Sequence, residues 1–242
     1  MIGARRGIGG PGGMNPLLII GLILLVSAFF RNGLVPQVQR AADDPITFVA
    51  WIIALVLGIT VHEFMHAYAA HRLGDDTARL LGRLTLNPMA HLDPFGSLLI
   101  VLAGFGYGKP VPFNESRLRS TLGVTLVALA GPLANLALAA LCAIPLRFAG
   151  DSLIGGGVYE TVLLQVVQLN CLLAIFNLVP IPPLDGANVV YGLLPPRQQY
   201  SWRTYQQYGP FLLLFILLLA PSILVALVRT PAVAIIRLLL GI

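Results

Sequence analysis

Apolar residues run along this chain in long blocks, and short polar stretches divide them. Pro16–Phe30 is the first block. A membrane-spanning helix needs about 20 mostly apolar residues, a length this run reaches at Val35 if Arg31 carries its charged head back to the interface. Ile46–His71, Gly123–Leu146, Val158–Val179 and Pro210–Val228 are each long enough without help. The pattern therefore predicts five spanning helices. The tail 231–242, with Arg237 inside it, is read as an interfacial helix, with a short sixth span as the alternative. Phe95–Tyr107 (FGSLLIVLAGFGY) is too short to cross and runs into the Pro-punctuated GKPVPFN, residues 108–114. That combination predicts a re-entrant or interfacial element followed by an extended piece. Such backbone at membrane depth must be buried in protein or line a watery cavity.

Composition agrees with this pattern. Hydrophobic residues make up 57% of the 242 residues and charged ones only 10%, against about 25% charged in a typical soluble domain. Mean hydropathy is +0.85. The chain reads as an all-α polytopic membrane protein without room for a sizeable soluble domain, internal repeat or low-complexity tract. The formal charge of +5 orients such a chain across a bilayer. No basic run with interleaved aromatics points to nucleic acid. Cys142 and Cys171 both lie in apolar runs and read as small packing residues. The basic, Gly-rich start (MIGARRGIGGPGGMNP) reads as flexible, and SAFFRNG offers no clear signal-peptidase site, so the first run reads as a retained span.

Loop charge sets the orientation. With the N-terminus inside, the inner segments hold Arg5, Arg6, Arg72, Arg79, Arg83, Lys109, Arg117, Arg119, Arg197 and Arg203, and the outer ones hold Arg31, Arg40 and Arg147. Ten against three predicts a cytoplasmic N-terminus in a multi-pass cell-membrane protein. The second and fourth helices then run in the same direction, outside to inside.

The second block contains HEFMH, with His62, Glu63 and His66. Histidines at i and i+4 share one helix face and can reach one cation, and the glutamate beside the first can move a proton to or from a metal-bound water. Zinc lowers the pKa of such a water to about 7. Placing ionisable groups in a span costs at least about 2.5–3.5 kcal/mol on insertion scales, so a functional role is the default reading. A polar face packed inside a bundle is the bland alternative. A third protein ligand is required. His71 falls at the helix end beside Arg72 and reads as interfacial. Glu115 and Glu160 lie near expected membrane boundaries. Asp185, in FNLVPIPPLDGANVV, is the better candidate. Pro180, Pro182 and Pro183 prevent regular helix there, and Gly186 is expected to let the backbone turn sharply. Taken alone, PPLDG also fits an ordinary exit turn. Depth favours the ligand: Ile46 to His62 is about 24 Å of helix, so HEFMH and Asp185 both arrive near the cytoplasmic third of the membrane.

HEFMH together with NLVPIPPLDG (177–186), in this order and on apolar segments, resembles the site-2 protease family of intramembrane zinc metalloproteases. LNPMAHLDPFG (86–96), GKPVPFN (108–114) and GPLAN (131–135) extend the similarity over most of 46–190, as in short prokaryotic members without a PDZ or CBS domain. The resemblance implies a three-helix catalytic core, one Zn2+ per chain held by His62, His66 and Asp185, and Glu63 as the catalytic base. It implies a transmembrane protein substrate in the lipid bilayer, with peptide-bond hydrolysis within or near its transmembrane helix. Asn177, His91 and Asn135 are candidate contacts to substrate or transition state; His91 is alternatively a gate residue, a partner that supports a ligand, an extra ligand or structural. Asn135 is a candidate polar contact, on a helix expected to pack on the metal helix through Gly131. GKPVPFN is expected to pair with an unwound substrate by strand addition. Residues 1–45 are then the basic start and first helix, 46–190 the catalytic core, and 191–242 a C-terminal helix and tail. The competing readings are a transporter, since broken helices with intramembrane acids also mark transporters, a non-catalytic metal-binding scaffold, and a CAAX-type membrane protease, which lacks the LDG match. The sequence specifies neither the substrate nor the oligomeric state.

Overall fold

The computed structural model of the chain describes residues 42–94, 96, 108–148 and 157–242. The expected first span and nearly all of the re-entrant element lie outside the described residues. Helix α1 spans Pro45–Arg72. Asp44 caps it by accepting the Thr47 N–H at 3.0 Å, and Pro45 occupies the first turn, where its missing N–H costs nothing. Gly74 ends it at φ +107°, a left-handed position that glycine adopts without strain. The short α2 (Thr77–Leu80) follows. Helices α3 (Gly123–Phe148) and α4 (Val158–Asn177) complete a three-helix core with α1.

The packing of α1 follows from one stripe. Ala50, Ala54, Gly58, His62, His66 and Ala70 are all buried and recur every four residues. Ile46, Val49, Ile53 and Leu57 are exposed on the other side. A row of small residues lets neighbouring backbones approach closely, which substitutes in lipid for the hydrophobic drive available in water. The same device recurs where Ala139 and Ala143 of α3 meet Val167 and Cys171 of α4. Cys142 packs against that cluster, so both cysteines serve as packing residues.

Cross-helix contacts give the directions. His66 meets Val127 and His62 meets Asn135, so α3 runs against α1. Asn170 lies level with Asn135 and Gly58, while Asp185 reaches His62, so α4 runs with α1.

Helix α5 (Asp185–Leu193) begins after the proline break, α6 covers Pro196–Leu219 and α7 covers Pro221–Leu240. This corrects the C-terminal expectation. The run Pro210–Val228 is not one helix: it breaks at Ala220–Pro221, where proline cannot continue the ladder. The tail is not a separate short helix either: it is the end of α7, of which Ser222–Leu240 is long and apolar enough to cross a membrane. Ala232 joins the α3–α4 cluster, and Arg147 Nη1 donates to Leu238 O. The polar first half of α6 misled the pattern. It is helical because its side chains grip the loop before α5 and α5 itself: Trp202 Nε1 donates to Ala187 O at 2.9 Å, Gln206 Nε2 to Asn188 Oδ1 at 3.0 Å, and Tyr205 Oη to Pro180 O at 3.2 Å. Four of the described helices are long and apolar enough to span a membrane.

Candidate metal centre

The site is assembled where α1, α3 and the start of α5 converge. His62 Nε2 and His66 Nε2 lie 3.0 Å apart, and Asp185 Oδ2 lies 2.9 Å from the first and 3.2 Å from the second. Both histidines are buried. Their tautomers follow from a chain of bonds that ends on backbone carbonyls, which only accept. Asn170 Nδ2 donates to Val166 O at 2.9 Å, so its Oδ1 is free to accept from Asn135 Nδ2 at 2.7 Å. Asn135 Nδ2 also donates to Gly58 O at 3.1 Å. The Asn135 Oδ1 is thereby turned toward His62 Nδ1, at 2.6 Å, and must accept its proton. His66 Nδ1 likewise donates to Val127 O at 2.7 Å. In its neutral form each imidazole then presents its Nε2 lone pair to the shared point.

In that form three lone pairs face one another at one point. Asp185 Oδ2 is buried and has no hydrogen-bond partner despite its two close neighbours. Such an arrangement is costly unless a cation satisfies it. Tetrahedral zinc, with bonds of about 2.0–2.1 Å, needs ligand atoms roughly 3.3–3.4 Å apart, a few tenths of an ångström more than observed. Two imidazole nitrogens and one carboxylate oxygen, with a position left over, form a catalytic rather than a structural ligand set. Nδ1–H groups donating outward are what orient histidine ligands. Among the described residues, His62, His66 and Asp185 form the group positioned for a metal.

Two glycines make the room. A Cβ on Gly131 would stand 2.4 Å from His66 Nε2 and 2.7 Å from His62 Nε2. Gly131 thus packs α3 against the metal face as expected. Gly186 differs from its expected role. It is not among the glycines with positive φ, and a Cβ there would lie 2.2 Å from Leu178 O. It is required by close approach, which seats the start of α5 on the end of α4 and so aims Asp185.

Glu63 is half-buried, and its Oε2 accepts the Val111 N–H at 3.1 Å. The other expected residues separate. Asn135 is fully buried, with its Oδ1 on His62 Nδ1 and its Nδ2 shared between Gly58 O and Asn170 Oδ1. Asn177 Nδ2 is committed to Leu173 O at 3.0 Å, inside its own helix. His91 is fully buried, with Nε2 bonded to Thr85 O at 2.7 Å; it is no part of the metal group and supports the loop under residues 108–109. His71 binds Asp76 at the end of α1, and Glu115 pairs with Arg203. Asn170 was missed, although an asparagine inside an apolar span is itself a signal.

A bundle of apolar helices enclosing this ligand set defines a membrane metalloprotease. The model of Peptidase family M50 matches residues 50–159. A Bacillus subtilis (strain 168) protein named "Putative zinc metalloprotease YwhC" is 41% identical over 175 residues, 68% of this chain and 79% of that one. "Putative zinc metalloprotease Rip2" of Mycolicibacterium smegmatis is 31% identical over 222 residues, 87% of this chain and 83% of that one. Its Mycobacterium tuberculosis (strain H37Rv) namesake is 34% identical over 184 residues, 73% and 69% respectively. The chain belongs to peptidase family M50, the site-2 protease family. No solved structure matches it.

Proposed function

We propose that this protein is an intramembrane zinc endopeptidase that hydrolyses peptide bonds in or near transmembrane segments of membrane proteins. The observation that carries the reading is the buried triangle of His62, His66 and Asp185 acceptors, built into helices whose outer faces are exposed and apolar. A substrate that reaches such a site comes from the bilayer. When bound, zinc supplies a Lewis acid that acidifies water and polarises a carbonyl oxygen.

The chain's own groups do the rest. Glu63 is the general base: it takes a proton from the attacking water and returns it to the leaving nitrogen. The Val111 N–H on Oε2 holds that carboxylate beneath the Gly108–Asn114 segment. A helical substrate hides its backbone, so it unwinds first, and the extended segment receives it as an added strand. Asn177 offers its amide oxygen to a substrate N–H. Stabilising an oxyanion instead would require Nδ2 to leave Leu173 O. The protein sits in the cell membrane with the site toward the cytoplasmic side, the side of its basic loops.

Metal analysis beside cleavage of a single-span model substrate tests the proposal. About one zinc per chain is expected. Glu63→Gln keeps the metal and loses cleavage, whereas Asp185→Ala loses metal. Undiminished zinc in Asp185→Ala removes the ligand assignment, and normal cleavage by Glu63→Gln removes the mechanism.

A further inference from the structure

Segment Gly108–Asn114 is held in an unusual way. Among the described residues it has one bridge to neighbouring backbone, Leu92 with Gly108. Its remaining anchors are mostly charged side chains. Lys109 N–H donates to His91 O at 2.7 Å, and Lys109 O accepts from the Arg83 guanidinium. Val111 N–H rests on Glu63, and Asn114 N–H on Asp75 Oδ2 at 2.5 Å. Arg83 is only 6% exposed and Asp75 is fully buried. Buried charges are expensive unless they are used, and neither residue touches the metal ligands. Asp75 also accepts the Thr77 N–H and hydroxyl, at 3.1 and 2.5 Å, which ties it to the start of α2.

Alternation along an extended chain sends successive backbone groups to opposite edges. The Lys109 and Val111 bonds make one edge the inner one. Pro110 and Pro112 fall on the other, where each offers a carbonyl and no N–H. Asn114, of the same parity, has its N–H taken by Asp75. Over residues 109–112 the free edge is therefore a pair of acceptors only. It can receive substrate N–H groups but leaves substrate carbonyls untied. Two acceptors also define register poorly unless the segment itself is rigid. Of its side-chain anchors, Glu63 is the group that must exchange a proton during turnover and cannot also be a fixed post.

We propose that Arg83 and Asp75 are positioning residues that clamp the two ends of the Gly108–Asn114 segment, so that its Pro110 and Pro112 carbonyls set which substrate bond meets the metal. This rests on the endopeptidase reading above. The clamp sets register, so its loss spreads cleavage over neighbouring bonds, whereas a loss of folding would only reduce the amount of product.

The test uses the zinc-loaded full chain in lipid nanodiscs with a single-span substrate. Arg83→Met and Asp75→Ala are compared with wild type, with Arg83→Lys and Asp75→Asn as the milder pair should the first two not fold. We expect unchanged zinc content, a KM raised roughly tenfold with a smaller change in kcat, and products cut at two or more adjacent bonds by mass spectrometry. Arg83→Lys, which keeps one donor for Lys109 O, restores the single cut. Amide exchange at Lys109, Val111 and Asn114 quickens by roughly tenfold or more, the factor a charge-assisted hydrogen bond carries. One cut site with unchanged exchange overturns the clamp, as does one cut site with quickened exchange, since register would then not depend on it. If wild type cleaves nothing, the endopeptidase reading fails, and the exchange measurement still decides whether the clamp exists.

Discussion

Asn135→Ala removes one buried side chain that makes three bonds: one to His62 Nδ1, one to Gly58 O and one to Asn170 Oδ1. The first sets the tautomer of a metal ligand, and deleting such a partner typically weakens metal affinity 10–100-fold, or about 1.4–2.8 kcal/mol. The other two join the three core helices, and hydrogen bonds between transmembrane helices average about 0.6 kcal/mol each. Metal affinity and fold stability should therefore fall by separable amounts, the first larger than the roughly 1.2 kcal/mol expected from the second pair. Asn135→Asp separates them. It keeps an acceptor for His62 but has no donor for Gly58 or Asn170, so zinc affinity holds or tightens while the metal-free protein melts lower. Chelator competition in detergent reads the affinity, and thermal unfolding of the metal-free protein reads the stability. An Asn135→Ala variant that binds zinc within about twofold of wild type, below the 10–100-fold range, would refute the tautomer argument.

Further outcomes follow from the same geometry. Gly131→Ala keeps every ligand residue yet puts a methyl 2.4 Å from His66 Nε2; zinc content by mass spectrometry should fall to near zero. Gly186→Ala collides with the Leu178 carbonyl at 2.2 Å, a backbone contact that cannot rotate away. It should cost at least about 1–3 kcal/mol in thermal unfolding and weaken zinc by displacing Asp185. Asp75 supplies a pH test. Burial alone would raise its carboxyl value, but the bonds from Thr77 and Asn114 prevail and hold it below the usual 3.8. A lowered folded value means stability that is present above pH 3.8 and lost as pH falls through the folded value. The melting-temperature gap between wild type and Asp75→Asn should thus be constant at pH 5–7 and shrink below about pH 4; a gap that widens in acid contradicts the sign.

The legible parts of this molecule were those whose cost is paid locally. A histidine pair in an apolar helix, an acid after three prolines and a glycine facing the metal helix each break a local rule, and the fold brings them to one place, the group positioned for a metal. Illegible parts were those whose polar groups are satisfied by distant chain. The RQQYSWRTYQQYG half of α6 reads as too polar for a span, and from sequence alone nothing reveals that Trp202, Tyr205 and Gln206 spend their donors on residues 180–188. That blindness misplaced the last helices, because a run read from Pro210 to Val228 hid the boundary between α6 and α7 at Ala220–Pro221. Asp75 and Arg83 read as ordinary loop charges for the same reason. Each acquires meaning only beside segment 108–114, which lies 39 and 26 residues away at the bonded positions. Asn170 lies between these cases: its burial could be inferred from its own helix, but its partner, Asn135, is 35 residues away. In this fold the three candidate metal ligands announce themselves by local incongruity, whereas Arg83 and Asp75, which hold segment 108–114, are ordinary in sequence and exceptional only in contact.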